Sequence, residues 1–388
     1  MPKVSITVCK DYNPANLSRA IGENLELLGG LGNFIKPGER ILVKPNLLGA
    51  HAPEEAVTTH PEFVRAVVRM VRHSGATPIL GDSPSLMDID DVWRKTGLKQ
   101  VSAEENVEVM NFSNYAVKEF PINHPTIKNI YLSQFAFDVD GIINLPKFKT
   151  HELTTLTLGM KNFFGLVPGL NKVNYHKFAH STELFSEVIA ELYRIIRPKV
   201  RLTIIDGILG MDGEGPQLGR VRPMDLVLAG GDPLALDCVG YELFGINPSK
   251  IPLIKFCRER NLGETDINKI TVVGVPIKQA LVKDPLAPKS GLINYVAEPV
   301  KAVLLKYLWV KPKIMQGKCK QCMKCFEICP AKTIHKEGKQ LNIHWDKCIS
   351  CFCCMEVCSH KAIETRENFF IGMIRKVLRV VRKLTRKK

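Results

Sequence analysis

No run of the 388-residue chain is long and apolar enough to cross a bilayer, because Lys or Arg interrupts each apolar stretch first. The opening MPKVSITVCKDYNP carries no apolar export segment either, so the expectation is a soluble protein in a reducing cytoplasm. The phosphate-cradling Gly-x-x-x-x-Gly-Lys-Ser/Thr stretch is missing as well, which argues against an ATP-driven machine. Gly29-Gly30-Leu31-Gly32 follows a helical pattern rather than a strand and is rejected as a dinucleotide fingerprint. No base-reading motif accompanies the basic charge, so nucleic acid is not expected as a partner.

What is present is cysteine in one place and charge in the same place. Of 12 cysteines, 9 fall between Cys319 and Cys358, whereas Cys9, Cys238 and Cys257 are scattered. Clustering of this kind in a chain without an export signal favours metal binding over a disulfide framework. The net charge of +15 is equally uneven: residues 312–388 hold 18 Lys and Arg against 6 Asp and Glu. Thiolate-bound clusters would add negative charge there, so part of the excess reads as local compensation.

Residues 3–275 alternate short apolar runs with amphipathic stretches, the pattern of an α/β domain with a largely parallel sheet. Strands are predicted at 4–8, 40–44, 77–81, 139–145, 200–206, 225–229 and 269–273. Helices are predicted at 15–28, 61–74, 182–196, 234–244 and 252–259. Pro61 suits a first helical turn, with Thr59 as its N-cap and Gly75 at the far end. The expected organisation is an α/β domain over 1–275, a Pro- and Lys-rich linker over 276–311, a small α+β cysteine module over 312–366 and a basic tail over 367–388. An amphipathic piece is predicted within the linker at 300–310.

Cys319, Cys322, Cys325 and Cys329 follow the C-x2-C-x2-C-x3-C spacing, and Cys348, Cys351, Cys354 and Cys358 repeat it 29 residues later. Glu327/Glu356, Ile328/Val357 and Ile334/Ile363 fall in the same register. The short turn brings three thiolates to one iron–sulfur cube, while the fourth points to the other. Cys319, Cys322, Cys325 and Cys358 are therefore expected to hold one 4Fe-4S cluster, and Cys348, Cys351, Cys354 and Cys329 a second. Zinc is disfavoured by the doubled spacing and by the absence of His from the ligand frame. The segment resembles the bacterial two-cluster ferredoxins over about fifty residues, which implies single-electron transfer. It departs from them at Ser359, where proline is usual, and at Cys353, an extra thiol read as a small side chain beside the cluster or, alternatively, as another ligand.

Four polar segments fall where strands of the first domain should end, the place where open α/β sheets collect ligands. They are Lys44-Pro45-Asn46; Gly81-Asp82-Ser83-Pro84; the basic stretch containing Lys147, Lys149, His151, Lys161, Asn162, Lys172 and His176; and an acidic set containing Asp206, Asp212, Asp232 and Asp237. The donors suit a phosphate, a carboxylate or another anion. Lys44, Asn46, Lys147, Lys161, Asn162 and His176 are expected to bind substrate, and Asp82, Lys149, His151, Asp206 and Asp232 to serve in catalysis. Taken singly, the aspartates read equally well as turn caps and the lysines as solvated charges.

Lys-Pro-Asn, Gly-Asp-Ser-Pro, Leu-Pro-Lys-x-Lys-Thr-His, Lys-Asn-x-x-Gly-x-x-Pro-Gly and Asp-Gly-x-x-Gly-x-x-Gly-x-Gly-Pro together make residues 4–273 resemble the domain of unknown function family 362, often fused to a ferredoxin module. The resemblance implies a redox-associated cytoplasmic protein and leaves the substrate open. The expected activity is that of an iron–sulfur oxidoreductase feeding electrons to a ligand in the first domain's cleft, with a redox protein as partner. The alternative is a non-catalytic carrier or docking subunit for a partner redox enzyme. In the tail, Phe370, Ile371, Ile374, Val377, Leu378, Val381 and Leu384 recur at helical spacing among Arg and Lys. That pattern fits peripheral contact with the inner face of an anionic membrane, or equally a helix packed on the protein itself.

Overall fold

The computed structural model describes residues 1–84, 88–169, 171–179, 181–289 and 309–369, together with Gly372, Met373 and Lys376. The amphipathic piece predicted at 300–310 and the basic tail from 367 lie almost wholly outside the described residues.

The first half of the chain lays down β1 (Lys3–Val8), α1 (Pro14–Leu27), β2 (Arg40–Pro45), α2 (Pro61–His73), β3 (Thr77–Asp82), α3 (Ile89–Lys95), α4 (Leu98–Glu104), β4 (Glu108–Asn111), β5 (Val117–Pro121) and β6 (Asn129–Ser133). After a short α5 (Phe135–Asp138) come β7 (Gly141–Leu145), β8 (Lys147–His151), β9 (Thr155–Thr157), α6 (Gly159–Asn162), α7 (Asn171–Phe178) and α8 (Thr182–Ile196). The domain closes with β10 (Val200–Asp212), β11 (Arg220–Gly230), α9 (Pro233–Leu243), α10 (Pro252–Glu259), β12 (Thr271–Gly274) and α11 (Ile277–Ala280). One 10-stranded sheet runs β12-β1-β11-β10-β7-β2-β3-β4, with β8 on β10 and β9 on β8. It is mostly parallel, but β11 is antiparallel to both β1 and β10, and β9 to β8.

Side chains alternate across these strands, so one sheet feeds two cores. Ile41 and Val43 of β2 join α1 and α2 on one face, while Leu42 turns to the face covered by α8, α9 and α10. Each such buried aliphatic chain contributes roughly 1.5–3 kcal/mol. Covering both faces is what lets β2, β3 and β7 be buried along nearly their whole length, as parallel strands require.

Helix α2 shows how local chemistry starts and stops an element. Pro61 occupies the first turn, Glu62 and Arg72 complement the dipole, and Gly75 at φ +81° ends the chain's helical path. Its cap is His60 rather than the expected Thr59: the His60 Nδ1 accepts from the Glu62 amide at 3.2 Å. Thr59 is used elsewhere, donating to the Leu145 carbonyl at 2.7 Å and accepting from the Asn46 amide at 2.8 Å. It thereby ties the end of β2 to the end of β7.

The described part of the predicted linker, residues 276–289, lies along the first domain: the Val282 amide donates to the Leu243 carbonyl and Gly213 to Leu286. The cysteine module pairs β13 (Val310–Ile314) with β16 (Ile363–Glu367), adds a hairpin of β14 (Ile334–Glu337) and β15 (Gln340–Ile343), and has its own core. Each motif leads into a short helix, Lys324–Ile328 in the first and Cys353–Val357 in the second. The repeat extends to the backbone. Gln321, Met323 and Lys332 are left-handed, and so are Ser350, Phe352 and Lys361, each 29 residues later.

Candidate functional site

The chain runs from β2 outward to β3 and β4, then returns to place β7 on the other side of β2. Between β2 and β7 the winding reverses, and at such a switch point the loops leaving the carboxyl ends of the strands part to form a crevice. Asn46 leaves β2 there, Asp82 ends β3, and Lys149 and His151 follow β7 on β8. A partly open cleft of about 640 Å³ occupies the spot.

Its walls carry a chain of amides. Asn46 donates to Asn162 at 3.0 Å, and Asn162 donates to Asn144 at 2.8 Å. Asp82 is fixed by the amides of Leu47 at 2.9 Å and Ser83 at 2.8 Å, and pairs with the fully buried Lys44 at 3.1 Å. Gly165 is obligatory at this point because a Cβ there would strike both Asp82 and Lys44.

Three further lysines enter the cleft without a carboxylate at ion-pair distance among the described residues. Lys149 is 1% exposed and donates to the Val57 carbonyl at 2.5 Å. Lys172 donates to the Ser83 carbonyl. Lys161 lies over the rings of Phe164 and Phe185, 4.6 and 5.4 Å from their centroids. Burial pushes Lys149 and Lys172 down to about 7 and lowers Lys161 as well, because the charged form loses its hydration. His176 is held neutral at about 3 by burial, and its Nδ1 has no hydrogen-bond partner.

The last wall comes from the cysteine module. Ile328, Cys353 and Glu356 line the same cleft as the lysines. His151 Nδ1 accepts from the Leu153 amide at 3.0 Å, which leaves the proton on Nε2, facing Glu356 Oε1 at 3.4 Å. Burial lowers His151 to about 4. Burial alone would raise Glu356, but the His151 hydrogen bond and the nearby cationic groups more than offset it and hold the carboxylate at about 2. Lys361 to Glu55 at 2.5 Å and Thr365 to Glu214 at 2.9 Å join the module to the first domain around this contact.

Of the residues expected from sequence, Asn46, Asp82, Lys149, His151, Lys161, Asn162 and His176 come together here, with Lys44 directly behind Asp82. Three lie elsewhere. Lys147 and Asp206 pair at 2.8 Å in a buried node with Tyr12, whose hydroxyl donates to Asp206 at 2.8 Å. Lys147, Lys149 and His151 share one face of β8, but Lys147 sits a full strand repeat earlier and reaches Tyr12 instead of the cleft. Asp232 caps α9, accepting from the amides of Leu234, Ala235 and Glu264. Glu356 and Cys353 escaped the sequence reading of this cleft, since nothing local says which side of the module docks.

The eight repeat cysteines define two more cavities. Cys319, Cys322, Cys325 and Cys358 line one of about 330 Å³, and Cys329, Cys348, Cys351 and Cys354 line another of about 320 Å³. The fourth cysteine of each motif thus joins the other motif's cavity. Cys353 lines neither; it faces the cleft. Backbone amides already point at the sulfurs, Thr333 to Cys329 at 3.4 Å and Ala362 to Cys358 at 3.3 Å, as ligands of an anionic cluster require.

Comparison with known proteins matches residues 41–242 to the family described as domain of unknown function (DUF362), and residues 311–359 to the 4Fe-4S dicluster domain. The second match makes the module an iron–sulfur electron-transfer domain. A thylakoid-associated protein of Synechocystis is 37% identical over 252 residues, covering 64% of this chain and 76% of that protein. Two solved structures are distant likenesses. A Thermotoga maritima protein is 13% identical at a TM-score of 0.41, covering 65% of this chain and 60% of its own. The lactate racemase apoprotein of Thermoanaerobacterium thermosaccharolyticum is 10% identical at 0.40, covering 62% and 56%. The chain therefore spans less than two thirds of either solved structure.

Proposed function

This chain belongs to the DUF362 family, and from that premise we propose that it is an oxidoreductase in which two 4Fe-4S clusters, one per cysteine set, serve an anionic ligand held in the cleft at the β2/β7 switch point. One observation carries the reading: the second-motif helix presents Cys353 and Glu356 to the cleft while Cys354, next to Cys353, lines a cluster cavity. When bound, the clusters supply electrons singly.

The chain's own residues do the rest. Lys149, Lys161 and Lys172 set three amines, those of Lys149 and Lys172 on buried residues, against Glu356, since Asp82 is already neutralised by Lys44. Buried charge without a partner is costly, so the cleft is built for a ligand carrying about two negative charges. Lys149 and Lys172, poised near 7, are suited to deliver a proton as charge builds on the ligand. The unpartnered His176 Nδ1 is an acceptor for a ligand N–H or O–H. The Glu356–His151 contact closes the wall and limits water.

The test uses full-length protein purified without oxygen. Mass spectrometry should find a small anion released on denaturation, and sulfate, whose charge is constant from pH 6 to 8, should bind several-fold more weakly at pH 8 as the lysines lose their protons. Sulfate binding that ignores both pH and Lys161→Ala, with iron content intact, would remove the ligand from the proposal and leave a non-catalytic carrier. The relative's thylakoid association, together with the apolar and basic sequence of 367–388, further supports peripheral contact with an anionic membrane. Loss of vesicle flotation on removing 368–388 would support that contact, and unchanged flotation would refute it.

A further inference from the structure

The two halves of the cysteine repeat face opposite ways. Lys324, Phe326 and Glu327 of the first motif are exposed, Phe326 by 46%. Their counterparts 29 residues on are turned inward: Cys353 is 3% and Met355 4% exposed, and Glu356 reaches His151 across the cleft. The two cluster cavities differ in the same sense. The first is walled by exposed Lys320, Gln321, Cys322 and Lys324, whereas the second is walled by Pro312, Ala331, Ile343, Ile349 and Phe352 with no charged side chain.

The outward lobe is also basic. Lys318 pairs with Glu364 at 2.9 Å, but among the described residues Lys320, Lys324 and Lys339 have no carboxylate partner. Gln321 donates to the Lys339 carbonyl at 2.9 Å, which brings the turn between β14 and β15, and its lysine, beside the first-motif loop. Exposed cations beside an exposed aromatic, at the rim of a cysteine cavity, make a face that complements an acidic surface.

We propose that this lysine-rimmed lobe is the docking surface for an acidic one-electron carrier protein, which delivers electrons at the first-motif cysteines while the second-motif side serves the cleft. One electron leaves the carrier, with no proton moved and no bond made or broken. The direction of flow rests on the function proposed above. The docking itself does not, because it is read by binding and by reduction of the iron–sulfur absorbance, without any cleft ligand.

The experiment takes full-length protein and an acidic plant-type 2Fe-2S ferredoxin as the probe. Titration of the oxidised pair should give an affinity that falls by about tenfold between low and physiological salt, as screening predicts for opposed charged faces. In Lys320→Gln/Lys324→Gln the affinity should fall by about the same factor, and reduction by the ferredoxin should slow in proportion. Reduction by the methyl viologen radical, a small cation, should keep its rate. Because those lysines flank cluster ligands, Lys339→Gln, outside the loop, provides a second variant and should weaken binding with unchanged iron content. Salt-independent affinity, or wild-type binding in both variants, would overturn the proposal. So would retention of all lysine-dependent binding by anionic vesicles alone.

Discussion

Replacing Lys149 by methionine should stabilise the protein while emptying its cleft of anion affinity. Lys149 falls from its ordinary 10.5 to about 7 because it is buried. Such a shift makes keeping the folded amine at pH 7 cost on the order of 4 kcal/mol relative to the unfolded chain. Methionine has similar length and no charge, and it abandons one hydrogen bond to Val57, worth about 1 kcal/mol. The net gain at pH 7 is then roughly 2–3 kcal/mol, or about 3–5 °C in apparent Tm. The pH dependence has a definite sign. Between pH 7 and 10.5 the unfolded chain binds a proton that the folded one lacks, so wild-type stability rises with pH across that window. The variant has no such group, and its advantage should shrink by roughly 2 kcal/mol between pH 7 and 9. Anaerobic thermal melts of full-length protein, followed by intrinsic fluorescence at several pH values, read this directly. A variant less stable than wild type, or an advantage constant with pH, would show that Lys149 supports the fold and that its burial is not a cost held for a ligand.

Exchanging Cys358 for serine should perturb the cluster held by Cys319, Cys322 and Cys325 and leave the other intact, which EPR of the reduced protein and iron quantitation would show; loss confined to the second-motif cluster would refute the crossed ligation. Gly165→Ala should force apart the buried Lys44–Asp82 pair and cost about 3–5 kcal/mol, measured by chemical unfolding. Glu356→Gln removes a carboxylate that faces the three cleft lysines and, unlike Asp82, has no lysine paired to it among the described residues, so sulfate should bind several-fold more tightly in isothermal titration, with iron content unchanged. Weaker binding would mean that Glu356 organises the lysines instead of opposing them.

The strands were readable where their chemistry is local. Ile41-Leu42-Val43 and Ile204-Ile205 announce strands buried on both faces because both sides of the sheet are covered. Strand β8 was not readable, since Lys147-Phe148-Lys149-Thr150-His151 alternates charge with bulk and each charge has a different tertiary destination: Asp206, the Val57 carbonyl and Glu356. Strands β4 and β5 were missed for the simpler reason that they are largely exposed and carry little apolar signal. Likewise the crevice was legible as strand ends rich in Lys, Asn and Asp, whereas the separation of Lys147 and Asp206 from it depends on Tyr12, 135 residues from Lys147 in sequence. The nearest clue to the module's wall was the repeat itself. Cys353 stands where the first motif has Lys324, and a position that trades an exposed lysine for a thiol marks the side that meets another surface.

The five-residue helix Cys353–Val357 has two employments at once. Its register is set by thiolates that must close around iron, and its opposite side completes a binding crevice in a different domain. Any substitution that shifts the turn at Cys354 therefore also moves Cys353 and Glu356, so a change made to the second cysteine cavity reshapes a wall of the cleft in the other domain.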